Sequence, residues 1–310
     1  MGSPAEKHLK PGGHLLILGT GALATLFAAR LAQAGVKVSM LGSWPEGMQA
    51  LKTHGASLLL PDGNRISQTV HIWEGQPPGK VKQVLVLVKS WQTVRAAQQL
   101  GPILDTDGLV LTLQNGLGNR EILVQALGET RVAQGVTTSG GTLLEPGLVR
   151  LGGEGAVSLE DHPHIAPMAE MLKQAGFEVH LVNQVESLVW GKLVVNSAIN
   201  PLSAILRLPN GALLENPSRR LLLGEVAQET ARVAQAKGIN LPFDDPRLAA
   251  ETVAQRTASN RSSMLQDVLR GAPTEIESIS GAIHRLGQEL SVSTPYNTSL
   301  YWLVKSISTG

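Results

Sequence analysis

A short apolar run that ends in a glycine loop and continues as an alanine- and leucine-rich segment constrains this chain more than any other feature. Residues 14–34 read HLLILGTGALATLFAARLAQA. HLLILG suits a buried strand, and Ala22 to Ala34 a helix stopped by Gly35. Between them Gly19, Thr20, Gly21, Ala22, Leu23 and Ala24 spell G-x-G-x-x-A. Gly19 permits a tight turn, Gly21 lets the backbone approach a pyrophosphate, and Ala24 is small enough for helix–strand packing. The N–H groups at the helix start supply an anion site. Alone the motif also fits an ordinary strand–helix turn, but here a strand precedes it and a helix follows.

The rest of the first half keeps the alternation that signals a parallel α/β sheet. VKVSML, VLVLVK, LVLTLQ and VAQGVTTS read as strands. ASLLL and ISQTVHIW flank the turn PDGN, LEPG separates TLL from LVRLGG, and FEVHLV is the last strand-like run. Beyond about Gln184 helical periodicity takes over, over Glu186–Leu206, Pro217–Lys237, Asp244–Asn260, Thr274–Leu290 and Tyr296–Ser306. The expected class is α/β, with a Rossmann-type dinucleotide-binding domain over 14–184 followed by an all-helical substrate and catalytic domain over 185–310.

Composition excludes several partners. With 43% hydrophobic and 16% charged residues among 310, the chain is of globular type. A net charge of +1 without like-charge runs offers nucleic acid or an acidic membrane no basic face. The absence of cysteine removes disulfides, thiolate nucleophiles and cysteine metal sites, and fits a reducing compartment. The polar start MGSPAEKHLKPGGH lacks a signal-peptide core, Glu6 stands where myristoylation wants Ser or Thr, and no apolar run reaches membrane-span length. A cytoplasmic protein is expected. His162 and His164 form H-P-H at what reads as an exposed helix start, with no third ligand, so no metal is expected.

One apolar segment breaks its own rule. Val189–Ile205 reads VWGKLVVNSAINPLSAI, and Lys192, Asn196 and Asn200 recur every fourth residue. On a helix they share one face over roughly 12 Å. A lone lysine can snorkel to solvent, but an unpaired buried amide costs roughly 2–7 kcal/mol. Three polar groups in line therefore point to a wet cleft, where a lysine can serve as a proton donor. Pro201 would disturb the helix beside Asn200.

That segment, placed after a glycine-loop domain, resembles the ketopantoate reductase (2-dehydropantoate 2-reductase) family. GTGALA, LVLVKSWQT, LTLQNGLGN, LLEPGLV, NRSSMLQDVLRGAPTEIESISGAI and TPYNTSLYWLVK fall in the family's order, covering about residues 14 to 305. The resemblance implies reduction of ketopantoate to pantoate in pantothenate and coenzyme A synthesis, with NADPH as cofactor. It implies Lys192 as the acid that protonates and polarises the substrate ketone, and Glu275 as its functional partner. Asn196, Asn200 and Ser263 match side chains that hold the substrate's carboxylate and hydroxyl groups. Lys89 and Asn115 match positions at the edge of the nicotinamide site, Asn115 also reaching substrate. A homodimer is compatible with this reading.

Each assignment has a plainer rival. Ser263 begins S-M-L-Q, a capping-box spelling, and Thr274 with Glu277 spells another, which leaves Glu275 freer for the cleft. Lys89 can end its strand with a solvated ammonium, and Asn115 before Gly116 is a turn pair. The strand end MLGSWPEG carries neither the acid that binds an NAD ribose nor an arginine for NADP. The family commonly has arginine where Ser43 stands here, so NAD stays open; Trp44 beside it can stack on adenine or simply serve the turn. Three hypotheses follow: ketopantoate reduction, reduction of another 2-oxo acid on the same scaffold, and a cofactor-binding sensor without turnover. Retention of Lys192, Asn196, Asn200, Ser263 and Glu275 speaks against the third.

Overall fold

The computed structural model describes residues 13–75 and 79–307. The polar N-terminal stretch read above for targeting signals and the last three residues of the helical half lie outside them. In chain order the first half forms β1 (His14–Leu18), α1 (Ala22–Gln33), β2 (Lys37–Leu41), α2 (Pro45–His54), β3 (Ala56–Leu59), β4 (Arg65–Gln68), β5 (His71–Ile72) and β6 (Val81–Val86). It continues through α3 (Thr93–Leu100), β7 (Leu104–Thr112), α4 (Asn119–Leu127), β8 (Val132–Thr137), β9 (Gly140–Glu145), β10 (Leu148–Gly153), β11 (Ala156–Glu160), α5 (Ala166–Gln174) and β12 (Glu178–Val182). The second half is helical: α6 (Val185–Leu206), α7 (Pro217–Ala236), α8 (Pro246–Arg256), α9 (Ser263–Leu269), α10 (Ser280–Glu289) and α11 (Pro295–Ile307).

The main sheet runs β12-β11-β8-β7-β6-β1-β2-β5. From β5 to β8 every pairing is parallel, while β11 runs antiparallel to β8. The winding reverses between β1 and β6, which opens a crevice beyond the carboxyl ends of those two strands. The buried segments Leu15–Leu18 of β1, Val84–Val86 of β6 and Leu109–Leu111 of β7 are wholly apolar because helices cover both faces of a parallel sheet.

A second sheet, β4-β3-β10-β9, closes over α1. This explains why α1 is apolar all round: every residue from Ala24 to Leu31 is buried, held between two sheets. Phe27 stacks on Phe177, and Arg30 lies over the same ring while pairing with Glu154.

In the helical domain α6 is the central rod, packed by α7, α8, α9 and α11. Asn216 and Asp245 cap α7 and α8, each ahead of a proline at the first helical position. The helix predicted over Asp244–Asn260 is accordingly trimmed to Pro246–Arg256.

Four local expectations are corrected. ISQTVHIW is not one strand: β4 pairs with β3 in the second sheet and β5 with β2 in the main one. β11 was not foreseen. The helix expected over Thr274–Leu290 begins only at Ser280, and Glu277 is no cap: its carboxylate accepts from Tyr301 Oη and Lys305 Nζ and pairs with Arg285. The H-P-H segment is a turn in which His162 Nδ1 accepts from the His164 amide, ahead of α5. Among the described residues no cluster could hold a metal ion, and no helix is long and apolar enough to cross a membrane.

Candidate active site

The glycine loop leaves β1 at the point where the winding reverses. Gly19 has φ +129°, and a Cβ there would meet the Leu87 carbonyl oxygen at 2.9 Å. Only glycine suits both the angle and the space. Gly21 differs: its φ is −84° and a Cβ would meet nothing within 4 Å. It begins α1 with no side-chain cap, so no cap side chain occupies the amides of the first helical turn. Thr20 is buried against Gly42. The loop thus fits a dinucleotide pyrophosphate: an uncapped helix start with nothing crowding it.

At the end of β2, Ser43 is exposed and accepts from Gln92 Nε2 at 2.7 Å, while Gln92 Oε1 accepts from the Lys89 amide at 3.3 Å. Residues 42–51 hold no lysine or arginine, and Lys52 is paired with Glu74 at 2.7 Å. Trp44 lies over Gly47 of its own helix.

The two domains meet through a cluster of polar contacts. Lys89 Nζ donates to Asp267 Oδ2 at 2.6 Å and lies 3.7 Å from Glu275 Oε2. Glu275 Oε1 accepts from the Ser90 amide at 3.1 Å, and Asn115 Nδ2 reaches its other oxygen at 3.4 Å. Ser278 Oγ is 2.9 Å from Ser90 Oγ, and the Leu117 amide donates to the Ser278 carbonyl at 2.8 Å. Gly116 has φ +81°, and a Cβ there would strike Ser278. Burial alone would lower the Lys89 pKa, but Glu275 and Asp267 outweigh it and hold it above the ordinary lysine value. Lys89 is therefore not a solvated strand end. Behind Asn115, Asn119 donates to its carbonyl at 3.0 Å and accepts from Thr93 Oγ1 at 2.8 Å, and Gln114 donates to the Val88 carbonyl at 3.0 Å.

α6 faces this cluster. The helix runs unbroken through Pro201, which has no N–H to offer the Ser197 carbonyl. Lys192, Asn196 and Asn200 share its flank, with Asn200 the most buried. Lys192 Nζ crosses the domain boundary and donates to the Thr137 carbonyl, at the end of β8, at 2.8 Å. Burial pulls its pKa down to about 8, against a smaller opposing pull from Glu275. A chamber of about 10 Å³ beside it is lined by Gln114, Asn115, Gly116, Val189 and Asn196. A larger groove of about 750 Å³ between the domains includes Val189 but none of the candidate residues.

Ser263 does not cap α9. Its neighbour Ser262 does, accepting from the Leu265 amide at 3.1 Å, and Ser263 is the first helical residue, partly buried. The structure therefore gathers Lys89, Asn115 and Glu275 into one network, puts Lys192 and Asn196 on a chamber that Asn115 also lines, and sets Ser43 apart with Gln92. The reading missed Asp267, Ser90 and Ser278. Asp267 had a signal: it follows Ser263 by four residues and so shares its helix face.

Models of the ketopantoate reductase PanE/ApbA family match residues 15–164, and those of its C-terminal domain residues 184–308. A 2-dehydropantoate 2-reductase of Halobacterium salinarum is 33% identical over 297 residues, covering 94% of this chain and 97% of its own. A crystal structure of a PanE/ApbA family ketopantoate reductase from Ralstonia eutropha superposes with TM-score 0.87 at 33% identity, covering 95% of this chain and 98% of its own. A D-mandelate dehydrogenase in ternary complex with NADH and anilino(oxo)acetate superposes with TM-score 0.89 at 27% identity, with the same two coverages.

Proposed function

The chain belongs to the ketopantoate reductase family, and on that premise we propose that it reduces 2-dehydropantoate to pantoate with NADPH, in pantothenate and coenzyme A synthesis. The observation that carries this reading is Lys192, a lysine brought down to about 8 that crosses the domain boundary beside Asn115 and Asn196. Such a group holds its proton at neutral pH yet releases it more readily than an ordinary lysine.

In the proposed mechanism the glycine loop and the start of α1 would hold the pyrophosphate of a dinucleotide, and Lys89 and Asn115 would border its nicotinamide. A dinucleotide held there would supply the hydride that the keto carbon receives. Lys192 polarises the carbonyl and donates its proton to the oxygen as that atom gains charge. Asn196, Asn200 and Ser263 hold the carboxylate and hydroxyl groups. Glu275, tied to Ser90, Asn115 and Lys89, balances the ammonium of Lys192 electrostatically. We further assign the dinucleotide-binding role to 14–184 and the substrate role to 185–310, and propose cytoplasmic residence and a homodimer, whose mass light scattering would report.

Two observations favour a second reading, reduction of another 2-oxo acid with NADH. One is the likeness to the D-mandelate dehydrogenase crystallised with NADH. The other is the stretch after β2, without lysine or arginine, where Ser43 and Gln92 form a neutral pair. The test is oxidation of NADPH and NADH with ketopantoate and a panel of 2-oxo acids. Preferred turnover of ketopantoate with NADPH upholds the first reading. Turnover only of another acid, or with NADH alone, keeps the mechanism and changes substrate or cofactor. Intact cofactor binding by calorimetry without turnover of any acid would favour a sensor.

A further inference from the structure

Two buried serines that the mechanism does not use connect the helices that do the binding. Ser203 on α6 is fully buried, and its Oγ donates to the Asn200 carbonyl at 3.0 Å. Its Oγ also lies 2.5 Å from Ser262 Oγ. A serine has one hydroxyl hydrogen, and a carbonyl can only accept. The Ser203 proton is thus committed to Asn200, and Ser262 must donate to Ser203. Ser262 Oγ in turn accepts from the Leu265 amide at 3.1 Å. The hydrogen bonds therefore run in one direction, from the Leu265 amide through Ser262 and Ser203 to the Asn200 backbone.

The two ends of this chain matter. At one end stands Asn200, next to Pro201, where the helix has lost a backbone hydrogen bond and the residue before proline resists helical geometry. At the other end Ser262 fixes the first turn of α9, and the next residue is Ser263. Packing alone would let α9 slide or rotate on α6 by fractions of an ångström. The single hydrogen bond between the two buried hydroxyls, Ser262 to Ser203, crosses from one helix to the other and restrains that motion, because breaking it leaves the buried Ser262 hydroxyl hydrogen without a partner.

We propose that Ser203 and Ser262 are positioning residues that fix Asn200 and Ser263, on separate helices, at the spacing needed to grip one substrate. The inference rests on the reading that these two side chains hold the 2-oxo acid. Its test is steady-state kinetics of Ser262→Ala, Ser262→Thr and Ser203→Ala on the acid that the wild type turns over best. Ser262→Ala should raise the KM for that acid roughly tenfold, with kcat and cofactor affinity nearly unchanged. Ser262→Thr keeps the hydroxyl and should restore the KM. Ser203→Ala should act in the same direction, and in an Asn200→Ala background it should add little, since it acts through that residue. Should Ser262→Ala fail to fold, Ser203→Ala and its cycle with Asn200→Ala carry the test. A lower melting temperature with unchanged KM in the serine variants would overturn the proposal, as would full additivity with Asn200→Ala. If the wild type turns over no 2-oxo acid, the functional reading fails first and this inference falls with it.

Discussion

α1 and α6 are both apolar helices sunk in their domains, yet they meet their surroundings in opposite ways. α1 is enclosed by two sheets along its middle and begins without a side-chain cap. α6 presents a flank, and along it Lys192, Asn196 and Asn200 interrupt an otherwise buried surface. A helix that works through its terminus needs backbone amides, so its side chains are free to be small and greasy. One that works through its side must carry polar side chains through the core, each costing roughly 2–7 kcal/mol when left unpaired. Polar residues at helical spacing in an apolar run are therefore more informative than the run itself.

The contrast is sharpest at Lys192. Lys192→Ala should lower kcat by about 10²–10⁴-fold, the usual worth of general acid catalysis, while calorimetric cofactor affinity stays unchanged. Wild-type turnover in that variant would take the flank of α6 out of the chemistry. The terminus of α1 is tested by two neighbouring glycines. Gly19→Ala adds a Cβ at positive φ against the Leu87 carbonyl and should cost about 1–3 kcal/mol of stability, read by denaturant unfolding. Gly21→Val should leave stability near wild type and weaken cofactor binding about tenfold or more; equal effects at both positions would show that the loop is merely structural.

The smallest effects come with pH. Under the proposed mechanism Lys192 carries the proton it donates, so kcat/KM should be level below about 8 and fall above it. Stability should move the other way. Because burial lowers the folded pKa, the unfolded chain binds this proton more tightly between about 8 and the ordinary lysine value. The charge penalty present below about 8 is thus relieved progressively as pH rises through that window. Lys192→Met should abolish that slope in unfolding titrations; a slope that persists would belong to another group.

Local periodicity explains how much could be read in advance. β1, β6, β7, α1 and α6 are long or strongly patterned, so their type followed from burial alone. β11 is five residues in which only Val157 and Leu159 are buried, beside a glycine-rich turn, and offered too little pattern. T-x-x-E at Thr274 mimics a cap, but Glu277 is drawn to Tyr301, 24 residues on, and Lys305, 28 residues on. Among the site residues, the Lys192 line was legible because a helix places it. The Lys89–Asp267 bond was not, since 178 residues separate its ends and no window spans them.

The roof over α1 also bears on how the protein is made. β3 pairs with β10 in register Ser57 to Leu148, so the second sheet cannot be complete until that later strand exists. At roughly 5–20 residues per second, the ribosome needs on the order of ten seconds to reach it after α1 has emerged. During that interval the β3–β4 hairpin can cover part of α1 but β9 and β10 cannot, so the greasiest helix of the first domain has an incomplete ceiling. Nascent chains should be most prone to clump, and most in need of a chaperone, while the polypeptide is between about 60 and 150 residues long.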